Sequence, residues 1–377
     1  MSILFETTEI NGLVLKNRFV RSATWEGMAE DDGSVTGRLI ETMVALAAGG
    51  VGLIISGHAY VERRGQAGRW QLGIYDDRLV DGLSQMVEAV HRSGGKIVAQ
   101  LAHSGIWADP ALTGTGPVAP SRVKGVTQHP IETLTPDAIA KVASAFSAAA
   151  GRAKDAGFDG VQLHSAHGYL LSQFLSPFFN RRTDRYGGDV KNRVRIHREV
   201  LRSVRHRVGT DYPVLIKINT GDFIDGGLEL SDALAAGKQL AADGLDGIEL
   251  SGGTGLSGKL SPIRTGIRKP SDEGYFQEAA AAFKNEMAIP VILVGGLRSF
   301  ETAERIVDTG TADYISMSRP FIREPDLVNR WRSGSRSKAT CLSDSRCFVP
   351  TRAGKGLYCV MDERDRKKAN NNRGEKN

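Results

Sequence analysis

The sequence predicts an α/β protein built as one closed (β/α)8 TIM barrel. Three observations lead there. Eight short β-branched runs alternate with longer segments of helical period along most of the 377 residues. Many of these runs follow a Gly or Pro, the signal that stops a helix and starts a strand: Gly49-Gly50, Gly94-Gly95, Gly157, Pro213, Gly244, Pro290 and Gly310. The first run ends Ser22-Ala23-Thr24-Trp25 with no Gly-rich fingerprint, which counts against the alternative of an open doubly wound sheet.

Taken in order, strands are expected at 18–23, 52–56, 97–101, 160–163, 214–218, 247–250, 291–294 and 314–317. Helical period lies between most of them, at 77–93, 137–156, 193–208 and 232–243. Before the first strand, Asn11-Gly12 marks a hairpin turn, and that hairpin is expected to plug the barrel floor. Residues 107–132 and 251–275 are long, Gly-, Pro- or Ser-rich excursions after strands three and six, and long loops of this kind are more often functional than accidental.

Composition narrows the function. The chain is 41% hydrophobic and 24% charged, ordinary for a globular protein. No apolar run reaches membrane-spanning length, and the first residues lack a secretory signal's basic and apolar regions. Three cysteines, all late, offer no disulfide framework and suit the cytoplasm. Of the formal net charge of +6, four charges come from 364–377, so the rest is nearly balanced and does not argue for a nucleic-acid surface. The expected organisation is a barrel over 1–360, including a Cys-containing segment at 341–359, and a basic tail at 361–377 that is too poor in apolar residues to order itself. Nothing in the sequence opposes a homo-oligomer.

In such a barrel the chemistry sits at the strand ends. Strand three runs into Gln100 and His103, and strand four into His164-Ser165-Ala166-His167-Gly168-Tyr169. Strand five carries Lys217 among apolar neighbours. Gly295-Gly296 after strand seven and Ser318-Arg319 after strand eight occupy the usual phosphate corner, where backbone N–H groups and a guanidinium meet an anion. The plainer alternative is a tight turn and an Arg paired with a carboxylate. Lys217 admits three readings: a Schiff-base amine, a fixed charge beside an anionic cofactor, or an internal ion pair with Glu249. His164 and His167 could ligate zinc, but strand one offers no further ligands; as neutral donors they could instead polarise a carbonyl. Tyr169 is either a proton donor or a core tyrosine.

The His164–Leu171 stretch, Gln173-Phe174-Leu175-Ser176-Pro177, Asn180 and Arg182-Thr183-Asp184-Arg185-Tyr186-Gly187-Gly188 resemble the signature of the old yellow enzyme family of FMN-dependent NAD(P)H oxidoreductases. The resemblance extends to Leu15-Lys16-Asn17-Arg18, Gln100–Gly105, Ser251-Gly252-Gly253, Val294-Gly295-Gly296 and Ser318-Arg319-Pro320-Phe321-Ile322, and covers about 3–360. It implies one non-covalent FMN. Ala23, Thr24, Trp25 and Gln100 would meet its ring, Lys217 its N1/O2 edge, and Gly295, Gly296, Ser318 and Arg319 its phosphate. His164 and His167 would hold the substrate oxygen and Tyr169 would be the proton donor. The implied cycle is ping-pong, with NAD(P)H as hydride donor and an electron-poor alkene as the small-molecule acceptor; the same site run oxidatively would dehydrogenate or demethylate an amine. Two positions depart from the family pattern: Trp25 stands where many members have Thr or Cys, and Ser318 replaces a common Gly. Cys341, Asp344, Cys347 and Cys359 resemble a degraded iron–sulfur stretch of larger relatives, and no metal is expected there.

Overall fold

The computed structural model describes Ser2 to Asp365. Eight parallel strands close in sequence order: β1 (Phe19–Arg21), β2 (Leu53–Tyr60), β3 (Ile97–Ala102), β4 (Val161–Ser165), β5 (Val214–Asn219), β6 (Gly247–Ser251), β7 (Val291–Val294) and β8 (Tyr314–Met317), with β8 pairing back onto β1. The eight expected strands are all present. The first is shorter than expected, and β2 runs four residues past its expected end, to Tyr60.

The hairpin does close the floor. Thr8–Ile10 pairs antiparallel with Leu13–Leu15. Asn11 (φ 45°) and Gly12 (φ 79°) are both left-handed, as a two-residue turn matched to strand twist requires. Ile10, Leu13 and Leu15 then pack on Val20, Leu53, Ile55, Val98, Leu215, Ile292 and Tyr314, the lower layer of the barrel interior.

Helices wrap the outside because each carries one apolar stripe. The helix Pro136–Asp155 is representative. Thr135 caps it by accepting the Ala138 N–H, Pro136 supplies a preset first turn, and Ile139, Val142, Phe146, Ala149, Ala150 and Ala153 face inward. Its small residues admit the helix Arg195–Val208 closely: a Cβ on Gly151 would stand 2.4 Å from Arg207. No helix among the described residues is long and apolar enough to cross a membrane. Of the expected basic tail at 361–377, residues 361–365 are helical, held by the Glu363 N–H on the Cys359 carbonyl and by Asp365 on Arg323, because they extend the segment that packs there; 366–377 lie outside the described residues.

The loop at 107–132 supplies none of the residues that line the mouth, although Trp107 at its start donates to the Gly168 carbonyl. It folds on its own small core of Ile106, Ala119, Val123, Ile131 and Phe179. The loop at 251–275 behaves as expected and contributes Gly255, Ser261, Pro262, Ile263 and Tyr275 to the mouth.

Candidate active site

A cavity of about 640 Å³ opens at the C-terminal ends of the strands. Neighbouring register positions on β4, β5 and β6 bring His164, Lys217 and Glu249 side by side. The Lys217 ammonium donates to Ser22 Oγ at 2.7 Å and lies 3.2 Å from Glu249 Oε1. The ion-pair reading of Lys217 therefore holds, and so does its orientation to the cavity, which it lines.

Glu249 is fully buried and accepts from Ser22, Ser316 and Gln162 at 2.7, 2.8 and 2.9 Å. Burial pushes its carboxyl up, but the Lys217 charge and these three donors outweigh it and hold the group below the ordinary carboxylate range. Gln162 in turn accepts from Gln100 Nε2 at 2.7 Å. One network thus ties Ser22, just past β1, to groups on β3, β4, β5, β6 and β8.

The turn after β4 is held in an unusual shape. His167 (φ 64°) and Gly168 (φ 77°) are both left-handed. A non-glycine residue there is uncommon, and the surroundings secure it. The His167 N–H donates to Asn219 Oδ1 at 3.0 Å, and the Gly168 carbonyl accepts from Trp107 Nε1 at 2.8 Å and Gln173 Nε2 at 2.7 Å. His167 Nε2 meets Ser251 Oγ at 2.8 Å. The result is a tight group: ring centroids of His164 lie 5.2 Å from His167 and 4.9 Å from Tyr169.

The electrostatics suit donors rather than charges. Burial, then neighbouring positive charge, holds His164 and His167 well below the usual imidazole value, so both are neutral at physiological pH. His164 Nδ1 is buried with no protein partner. Burial raises the Tyr169 phenol, which therefore keeps its proton.

The phosphate corner also assembles. Gly295 (φ 148°) and Gly296 (φ 72°) have backbone shapes that L side chains avoid, and a Cβ on Gly296 would stand 3.0 Å from the Tyr275 ring. Arg319 makes no ion pair among the described residues and bonds only to Ser345 Oγ at 3.0 Å, so the paired-Arg alternative is not realised. Ser318 Oγ meets Thr24 Oγ1 at 2.6 Å. Of the expected ring contacts, Ala23, Thr24, Trp25 and Gln100 all line the cavity, and the buried Trp25 Nε1 has no protein acceptor.

Several features were not foreseen. His58 on β2 lines the cavity, as do Ser343, Ser345, Phe348 and Arg352 from the C-terminal segment. His103, at the end of β3, is turned away to Glu62 at 2.8 Å. Cys341, Asp344, Cys347 and Cys359 converge beside Arg319, yet no group of three or more His, Cys, Asp or Glu among the described residues is arranged to hold a metal. Burial raises the Cys341 thiol, and pushes Cys347 up to about 12.

A parallel barrel with a deep, cation-edged cavity and a glycine–arginine corner defines a nucleotide-cofactor enzyme in architecture. Residues 3–338 match the model of the NADH:flavin oxidoreductase / NADH oxidase family, and the chain belongs to it. This is a family of FMN-dependent oxidoreductases, and the old yellow enzyme resemblance is borne out. The chain is 39% identical over 337 residues to a metal reductase of Desulforamulus reducens, covering 89% of this chain and 49% of that protein. It is 35% identical over 324 residues to an NADPH dehydrogenase of Halalkalibacterium halodurans, covering 85% and 91%. The structure of an old yellow enzyme homologue from Zymomonas mobilis superposes with a TM-score of 0.76 at 27% identity, covering 90% and 95%. The chain thus spans about half the length of the first of these relatives and nearly all of the others.

The buried histidines make stability pH-dependent in a definite direction. Burial pushes His197 down to about 4, against about 6.5 in an unfolded chain. Below pH 6.5 the unfolded state binds a proton that the native state refuses. Stability is therefore complete above that value and falls toward pH 4, by up to about 1.4 kcal/mol per pH unit for each such histidine. Urea unfolding at pH 7.5 and 5.5 should show the lower midpoint at pH 5.5.

Proposed function

We propose that the chain is an NAD(P)H-dependent ene-reductase, with 1–360 forming a single FMN-binding barrel. The observation that carries this reading is the neutral His164/His167 pair beside the protonated Tyr169, on a cavity that Lys217 also lines from the neighbouring strand. FMN, when bound, supplies hydride transfer between NAD(P)H and an electron-poor alkene. The residues do the rest. His164 and His167 donate to the substrate's carbonyl or nitro oxygen and draw electron density from its double bond. Tyr169 gives a proton to the α-carbon. Lys217 would hold a fixed charge beside the flavin, Gln100 and the backbone of Ala23 and Thr24 would bound its ring, and Gly295, Gly296, Ser318 and Arg319 would hold its phosphate. The indole of Trp25 narrows the pocket and offers its unpaired N–H. A Schiff-base role for Lys217 fits poorly, because Ser22 and Glu249 already engage its nitrogen. Unpaired Cys341, Cys347 and Cys359 support a reducing, cytoplasmic setting.

The decisive experiment is anaerobic. The purified protein should be yellow, bleach with NADPH or NADH, and regain colour with 2-cyclohexen-1-one. A colourless protein trapped on Lys217 by borohydride would overturn the proposal. Replacing Arg319 by Gln should weaken FMN binding by about 10- to 100-fold, the worth of one charge-assisted contact of roughly 1.5–3 kcal/mol. Fluorescence titration of the apoprotein with FMN reads this directly.

A further inference from the structure

The Tyr169 hydroxyl has a partner that the chemistry above leaves unused: His58 Nε2, 3.0 Å away, with ring centroids 5.4 Å apart. The local backbone puts it there. Strand β2 shifts register against β3 between Ile55 and His58, and such a bulge re-aims the side chains that follow. Gly57 permits the kink, since a Cβ there would lie 2.0 Å from Glu26 Oε2 and 2.8 Å from the Thr24 carbonyl. Gln71 Nε2 then holds the His58 carbonyl at 3.0 Å. A buried arginine–carboxylate pair, Arg21–Glu26 at 2.6 Å, stands behind the kink.

We infer that His58 is a positioning and relay residue that hydrogen-bonds the oxygen of Tyr169 as it gives up its proton and then refills it. The inference rests on the reading of Tyr169 as proton donor. Of the other polar groups nearby, His167 meets Ser251 and Lys217 meets Ser22 and Glu249, and neither these two nor His164, whose ring centroid lies 4.9 Å from that of Tyr169, hydrogen-bonds the hydroxyl among the described residues. Among the described residues, His58 makes the one hydrogen bond to the Tyr169 hydroxyl. A tyrosinate left in so buried a place is costly, so it has to be neutralised where it forms.

Neutral imidazole suits the task because it carries one N–H and one acceptor nitrogen. Burial holds His58 at about 4, so the ring is neutral in the working range, although part of its surface stays open to the cavity. The steps balance. The Tyr169 proton goes to the substrate α-carbon, the Nε2 proton goes to the phenolate oxygen as Nδ1 takes one proton from solvent, and proton exchange with solvent then returns the ring to its Nε2–H tautomer. One solvent proton is consumed per alkene reduced, and the hydride comes from NAD(P)H.

The test uses FMN-loaded wild-type, H58A, H58Q, Y169F and H58A/Y169F enzymes in anaerobic stopped flow. H58A and H58Q should slow the alkene half-reaction on the order of 10-fold or more, part of the usual worth of general acid catalysis. Flavin reduction by NAD(P)H should be unchanged, and added imidazole should restore H58A. In the Y169F background, H58A should add nothing. Without turnover, the His58 Nε2 signal in histidine ¹⁵N spectra should move in Y169F. Wild-type rates in H58A and H58Q, equal slowing by H58A in both backgrounds, or an unmoved Nε2 signal would overturn the relay. A wild-type enzyme that reduces no alkene overturns the ene-reductase reading itself, so the two failures are distinguishable.

Discussion

Replacing Lys217 by Met should cost about 3–5 kcal/mol of folding stability, the usual penalty for orphaning one member of a buried ion pair. The reason is Glu249, which is fully buried and would keep three hydrogen-bond donors but no countercharge. Part of the loss returns if the carboxyl takes up a proton, so the variant should be relatively less impaired at low pH. The double variant K217M/E249Q should recover most of the stability, because the amide keeps the shape and removes the charge. Urea unfolding of the three proteins reads the effect. A single variant as stable as wild type would mean that Glu249 is neutral in the native state and that the pair is not an ion pair.

Replacing Tyr169 by Phe should slow the alkene half-reaction by about 10²–10⁴, the range typical of a lost general acid. The ring packing against His164 survives this change, because only the hydroxyl is removed. Reduction by NAD(P)H should proceed at the wild-type rate. Stopped-flow absorbance at the flavin band separates the two half-reactions. Equal slowing of both would place Tyr169 outside the proton step and return it to the role of a core tyrosine.

Both predictions concern residues that the bare sequence already singled out, and the reason is periodicity. Strand ends in a parallel barrel point to one mouth, so a strand count converts directly into a short roll of residues that must converge. Lys217 stood out because an ammonium in an apolar strand needs a partner. The His164–Tyr169 stretch stood out because polar groups follow directly on a buried strand. The phosphate corner was legible from two glycines and one arginine at the last two strands.

Other parts were not legible, and each failure has a physical cause. His58 was missed because Gly57 reads as the end of a strand, whereas in the fold it is the kink that lets β2 continue to Tyr60. The 107–132 loop was singled out for its length and composition, but its Ala119, Val123 and Ile131 pack with Ile106 and Phe179 into a small core apart from the cavity lining. Ser343, Ser345 and Phe348 reach the cavity from a segment whose cysteines drew attention to metal chemistry instead.

Taken by itself, the sequence determined the barrel, the hairpin beneath it and the identity of the groups at the strand ends, because these follow from local period and turn chemistry. Only the tertiary structure decided which of those groups touch. Whether Lys217 meets Glu249 and whether His58 reaches Tyr169 depend on strand register and one bulge, since a shift of a single residue would turn Lys217, Glu249 or His58 to the other face, and whether Arg319 escapes a carboxylate depends on what the rest of the chain brings beside it.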